Sequence, residues 1–224
     1  MGQLSGAVCI FDLDGTLVDS APDLTGALNR QLTRLGMATM DPAEVRPLVG
    51  EGARALLIHS FEAHGRPFPD GNEADALVEA YVADYAAHIC DESYVFEGVK
   101  ETLDALASES ATLAVCTNKK EVLAEPLLRA TNLWDRFEIV VAADTLAERK
   151  PSPLPLQHIM EKTGADRGTM IGDTFTDYKA AEAANMPALI ASFGYGANDE
   201  RLRNATWFDA YADLPTAILE KLAT

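Results

Sequence analysis

Asp12 and Asp14 stand two residues apart at the end of an apolar run, in "VCIFDLDGTLVDS". Side chains two apart on a strand share a face, so both acids would leave that strand together. Two neighbouring carboxylates repel, and one must take a proton or find a cation. Three later apolar runs end in groups that answer this need. "TLAVCTNK" ends on Thr117, Asn118 and Lys119, "VVAADTLAERKPSP" carries Arg149 and Lys150, and "GTMIGDTFTD" carries Asp173 and Asp177. If these ends meet, the acids can hold a divalent cation, while the hydroxyl and the lysines hold anionic oxygens.

Such a meeting needs parallel strands. "AVCIF", "TLAVC", "FEIVVA", "GTMIG" and "PALIAS" read as short strands, each followed by polar residues and then by a helical pattern. The helical stretches are "GVKETLDALASE", "KEVLAEPLLRAT", "PLPLQHIMEKTG" and "FTDYKAAEAANM", with apolar residues at helical spacing. This alternation predicts an α/β fold, a doubly wound parallel sheet with a Rossmann-like core. Its ligand site should lie beyond the carboxyl ends of the strands. From about Ser20 to Glu92 the alternation stops. "DLTGALNRQLTRLG", "GARALLIHSFEAHG" and "EADALVEAYVADYAAHI" read instead as amphipathic helices between Pro- and Gly-bearing loops. The expected organisation is an α/β core of residues 1–18 and 93–224, with an all-α domain inserted at 19–92.

The chain has 224 residues, enough for one good-sized core with an insertion. A net charge of −17 argues against nucleic acid and against anionic membrane as partners. An anionic substrate would need that field inverted locally, by a metal or by a few placed cations. No apolar run approaches the ~20 residues that span a bilayer. Cys9, Cys90 and Cys116 make no disulfide framework and read as reduced thiols. With no secretory signal at the start, they point to the cytoplasm. A monomer and a homodimer fit equally well.

In order and spacing, the motifs resemble those of the haloacid dehalogenase-like hydrolase superfamily. "DLDGT" resembles its first motif, "TN" its second, Lys150 with "KPSP" its third and "GDTFTD" its fourth. The inserted helices are similar to the small helical cap of some members. "VRPLVGEGARALL", "KPSPLPL" and "FGYG" resemble the phosphoglycolate phosphatase group within it.

The resemblance implies roles. Asp12 would be the nucleophile, attacking phosphorus to form an aspartyl phosphate, a labile species that a second step can hydrolyse. Asp14 would serve as general acid and then as general base. Mg²⁺ would be held by Asp12, the Asp14 main-chain carbonyl and Asp173, an oxygen set that suits a hard ion. Thr117 and Lys150, with Asn118, would bind the phosphoryl oxygens. Asp177 would support the metal or Lys150 from behind.

Several residues have plainer readings. Lys119 fits an exposed first helical turn as well as a site role. Arg149 reads as surface, and Asp19 as a helix cap in preference to a metal ligand. Gly15 and Thr16 read as turn formers, Gly15 also allowing close backbone approach. "GEGARA", Gly50 to Ala55, matches a dinucleotide fingerprint, but Pro47 stands where its strand would run. It reads as a cap loop meeting the catalytic edge, with Arg54 a contact for the non-phosphate end of the substrate.

The function expected is a Mg²⁺-dependent phosphatase for a small anionic phosphomonoester, with 2-phosphoglycolate preferred as substrate. Alternatives are a sugar-phosphate or nucleotide phosphatase and a phosphoglucomutase-type phosphotransferase. A different class, a receiver-like signalling phosphoacceptor, shares the aspartate, hydroxyl and lysine but has no use for Asp14 or a cap.

Overall fold

In the computed structural model, which describes residues 2–223, the strand bearing the paired acids is central. β1 (Ala7–Phe11) is buried along its whole length. It pairs in parallel with β4 (Thr112–Cys116) on one side and β6 (Arg167–Gly172) on the other. β5 (Ile139–Val141) extends the sheet beyond β4, and β7 (Ala188–Ala191) and β8 (Thr206–Phe208) extend it beyond β6. The order is β5-β4-β1-β6-β7-β8 with every neighbour parallel.

Burial on both faces explains why "AVCIF" shows no polar alternation. Ala7, Cys9 and Phe11 pack with α5 (Val99–Ser108), α6 (Glu121–Ala130) and α9 (Leu214–Leu222). Val8 and Ile10 point the other way, into a cluster with α7 (Leu154–Thr163) and α8 (Phe175–Ala183). The five expected strands and four expected core helices are all present. β8 and α9 were not foreseen; "TWF" is too short to stand out from its surroundings.

Two short strands, β2 (Val18–Asp19) and β3 (Tyr94–Val95), pair antiparallel and carry the chain out of the sheet layer and back. Between them lie α1 (Ala21–Arg34), α2 (Pro42–Val45), α3 (Ala53–Ala63) and α4 (Gly71–Ala87). α2 escaped sequence reading because four residues show no period; it rests on a capping box between Asp41 and Glu44. Leu28, Leu32, Leu57, Tyr81 and Tyr85 form the centre of a separate apolar cluster, which also takes in Leu123 of α6. On the surface, Asp84 of α4 joins Arg30 (2.6 Å) and Arg34 (3.0 Å) of α1. Among the described residues, no helix is long and apolar enough to cross a membrane, and the three cysteines are free.

Asp23, in the first turn of α1, ties the inserted helices to the returning chain. Its buried carboxylate accepts from the Ser93 N–H (2.8 Å), the Ser93 hydroxyl (2.6 Å) and the Glu92 N–H (3.1 Å). Asp23→Ala leaves those donors unpaired, which costs about 1–3 kcal/mol. A thermal melt should show a fall of roughly 2–10 °C, partly recovered in Asp23→Asn. An unchanged midpoint in the alanine variant would show that this link carries no stability.

Candidate active site

The strand order reverses at β1, so the loops after β1, β4, β5 and β6 leave one edge of the sheet together. They line a cavity of about 340 Å³ with Asp12, Asp14, Thr117, Asn118, Lys119, Lys150 and Asp177. Pro47, Val49, Gly50 and Glu51 close it from the side of the inserted helices. The "GEGARA" segment therefore reaches this edge of the sheet, through its first residues.

Asp12 leaves β1 with its backbone N–H still bonded to the Ile171 carbonyl (2.8 Å). Its Oδ1 accepts from the Leu13 N–H (2.7 Å) and lies 3.0 Å from the Lys150 ammonium. Burial pushes the Asp12 carboxyl up to about 7, with the Lys150 charge opposing and the Asp177 and Asp14 carboxylates adding to the rise. Lys150 itself is buried. Desolvation alone would lower its pKa, but Asp12 and Asp177 hold it above the ordinary lysine value.

Asp173 and Asp177 are fully buried behind this pair. Asp173 accepts from the Thr16 hydroxyl (3.0 Å) and the Tyr195 N–H (2.7 Å). Burial, then Asp177 and Asp12, raise its pKa well above the usual carboxylate range. Both Asp177 oxygens are committed, one to Lys150 (2.6 Å), the other to the Thr174 hydroxyl (2.6 Å) and N–H (3.0 Å). The backbone must come unusually close to reach these acids. Gly15 sits at φ +78°, and a Cβ there would lie 2.2 Å from Asp173 Oδ2.

Asp14 is held differently. Its carboxylate takes the Lys119 ammonium on both oxygens (2.9 and 3.2 Å) and the Ser20 hydroxyl on Oδ1. Lys119 is buried and stacks on the Tyr85 ring of α4, 4.6 Å from its centroid. The reading of Lys119 as an exposed helix residue is thus corrected; it precedes α6 and points into the cavity. Thr117 is buried with its Oγ1 accepting from the Lys119 N–H (3.1 Å). Asn118 donates to the Lys150 carbonyl (2.9 Å), leaving its buried Oδ1 with no protein partner.

Arg54 is not brought to this place. It pairs with Asp75 on the outside of the helical layer, with half its side chain exposed. Helix α3 turns it away from the cavity because Leu56 and Leu57 take the inward face. Arg149 is exposed, as expected. Asp19 does more than cap. Its Oδ1 takes the Ala21 N–H at 3.3 Å, but the buried carboxylate chiefly gathers the Tyr195 hydroxyl (2.8 Å), Arg46 (2.8 Å) and the Tyr94 hydroxyl (3.0 Å). Ser20, Tyr85 and Tyr195 escaped residue-by-residue reading, since nothing in their local sequence announces a long-range partner.

A divalent cation fits the donor chemistry. Oxygens of Asp12, Asp173 and Asp177 all lie within 4.8 Å of one another. Four carboxylates face two lysines, and an all-oxygen set suits a hard ion. The metal-free state has a definite pH signature. The folded Asp12 keeps its proton up to about pH 7, whereas an unfolded one loses it near ~3.9. Its stabilising contribution is complete below that lower value and is lost as pH rises through 7. A cation that binds only the folded, ionised cluster should therefore raise the melting temperature more at pH 8 than at pH 5. Melts with EDTA or Mg²⁺ at both pH values test this; equal shifts would overturn it.

Comparison with known proteins agrees with this architecture. Residues 9–191 match the family model described as haloacid dehalogenase-like hydrolase. A phosphoglycolate phosphatase from Agrobacterium fabrum is 39% identical, over 97% of this chain and 94% of its own. One from Caulobacter vibrioides is 41% identical, over 99% and 94%. The crystal structure of a predicted phosphoglycolate phosphatase from Haemophilus somnus aligns with a TM-score of 0.88 at 28% identity, covering 97% of this chain and 99% of that one. A hydrolase match of this extent favours an enzyme over a receiver-like phosphoacceptor. The chain belongs to the haloacid dehalogenase-like hydrolases, and within them it is a phosphoric monoester hydrolase of the phosphoglycolate phosphatase-like kind.

Proposed function

We propose that this enzyme hydrolyses 2-phosphoglycolate to glycolate and phosphate through an aspartyl phosphate on Asp12, with Mg²⁺ as cofactor. The observation that carries the reading is the convergence of Asp12, Asp14, Thr117 and Lys150 on one cavity. The full-length likeness to proteins named phosphoglycolate phosphatase supports the choice of substrate. Residues 19–92 act in this reading as the cap that bounds the space around the leaving group, in a protein of the cytoplasm.

The Thr117 hydroxyl, the Asn118 amide and the Lys150 ammonium orient the phosphoryl oxygens. A carboxylate oxygen of Asp12 attacks phosphorus in line with the ester bond, which breaks. Asp14 gives a proton to the departing alkoxide, so glycolate leaves neutral at its hydroxyl. Asp14 then takes a proton from a water that attacks the phosphorus, and inorganic phosphate leaves with Asp12 restored. Asp12 and Asp173 side chains and the Asp14 carbonyl would hold Mg²⁺, which supplies positive charge where a dianion meets the carboxylates. Asp177 fixes Lys150 between itself and Asp12.

Two substitutions separate these roles. Asp12→Asn keeps size and fold but removes the nucleophile, so turnover should vanish in a phosphate-release assay. Substantial kcat in that variant would remove Asp12 from the role. Asp14→Asn should lower kcat by on the order of 10²–10⁴ on alkyl phosphates and far less on p-nitrophenyl phosphate, whose leaving group needs no proton. Equal losses on both would count against the general-acid assignment. The substrate is tested by comparing kcat/KM across 2-phosphoglycolate, sugar phosphates and nucleotides; a better sugar phosphate or nucleotide would displace it.

A further inference from the structure

We propose that Lys119 binds the carboxylate of the substrate and so sets the preference for a leaving group with an acid one carbon from the ester oxygen. This rests on the phosphatase reading above and adds to it the group that recognises the leaving end.

The first argument is elimination. A carboxylate entering a half-closed cavity needs a cation, or its desolvation goes uncompensated. Among the described residues, the basic side chains lining the cavity are Lys119, Lys150 and Arg201. Lys150 lies between Asp177 (2.6 Å) and Asp12 (3.0 Å), where the phosphoryl group is to be held. Arg201 stands at the rim with its guanidinium gripped by both oxygens of Asp199 and stacked on Phe175. The inserted helices send no cation in. Arg46 is spent on Asp19, Arg54 on Asp75, and the charged side chain they contribute to the wall is Glu51.

The second argument is distance. Asp14 is to meet the leaving oxygen, and the Lys119 ammonium lies 2.9 and 3.2 Å from the Asp14 oxygens. In glycolate, the carboxylate oxygens lie about 3 Å from the hydroxyl oxygen, a reach limited by the three bonds between them. An ester oxygen against Asp14 thus brings a carboxylate at that spacing to Lys119. An ammonium has three N–H donors, and Asp14 occupies at most two of them. When Asp14 turns to the leaving oxygen, a substrate carboxylate replaces the counter-charge that Lys119 gives up.

The third argument is environment. The Lys119 side chain is only 4% exposed, and the Tyr85 ring covers it. The Tyr85 hydroxyl is itself buried with no protein partner. An ammonium shielded from water attracts an anion more strongly than an exposed one. Because Tyr85 comes from α4, the inserted helices back Lys119 with a ring without supplying a charge of their own.

The test is a ratio, since loss of Lys119 also disturbs Asp14 and lowers activity on any ester. In Lys119→Met, kcat/KM for 2-phosphoglycolate divided by that for ethyl phosphate should fall by about 10- to 100-fold. Lys119→Gln, which keeps a polar partner for Asp14, should show the same fall and decides the matter if the methionine variant does not fold. With the unaltered enzyme, glycolate should inhibit turnover of ethyl phosphate while ethylene glycol at equal concentration does not. Equal inhibition by the two, or an unchanged ratio in a folded variant, overturns the proposal. If the unaltered enzyme itself shows no preference for 2-phosphoglycolate, the substrate reading fails and this assignment fails with it. A preference that survives loss of Lys119 overturns the assignment alone.

Discussion

Buried negative charge governs this molecule. Asp12, Asp14, Asp173 and Asp177 crowd the end of a strand that is otherwise apolar, and taking even one carboxylate out of water costs several kcal/mol unless it is paired. Each acid has its own answer. Asp177 takes Lys150 and the Thr174 turn, Asp173 takes a threonine hydroxyl and a backbone N–H, and Asp14 takes Lys119 and Ser20. Asp173 has no cation at all, and Asp12 is itself sparsely compensated, with one lysine shared and one N–H. That poverty suits the nucleophile proposed at Asp12, because every hydrogen bond that stabilises its lone pairs in the ground state dulls its attack.

The same compensation ties the helical insertion to the sheet. Asp19 stands where the chain leaves the core, and it gathers Tyr94 from the returning strand, Arg46 from the insertion and Tyr195 from the loop after β7. The N–H of Tyr195 holds Asp173, while its hydroxyl, besides donating to Asp19, accepts from the Ser20 and Ala21 N–H groups. One residue therefore touches both the acid cluster and the exit to the inserted helices. A displacement of those helices would pull on the loop that positions Asp173.

The division of labour follows from topology. A parallel sheet with its strand order reversing at β1 must open its site at the carboxyl ends of β1, β4, β5 and β6. Asp12, Thr117 and Lys150 follow those rigid ends, whereas the cavity's other wall is built by the loop of residues 47–51, with Tyr85 packed against Lys119. Loops vary more freely than strands, so one core can serve many leaving groups while its wall is rebuilt.

Five of the six sheet strands, four of the five core helices and three of the four inserted helices could be read from the chain, the strands as unbroken apolar runs because both faces are buried, the helices because one buried face imposes a period of 3.6. The acids at Asp12, Asp14, Asp173 and Asp177, with Thr117 and Lys150, were legible for a related reason: a strand end fixes where its next residues go, and polar groups there are conspicuous against an apolar run. α2, β8 and the short strands of the linker were too brief for any period. Arg54 and Lys119 show where local reasoning stops. Both are cations beside a loop at the cavity, and only packing decides between them: Leu56 and Leu57 turn α3 so that Arg54 faces Asp75, whereas Tyr85, from a distant helix, covers Lys119 and presses it toward Asp14. Residue types at strand ends are local, so the acids, the hydroxyl and the lysine that a phosphoric monoester hydrolase can use were legible in the chain itself. Only packing settles which charged and polar groups meet, because the partners lie from 21 to 176 positions apart in the chain and their immediate neighbours carry no record of that contact.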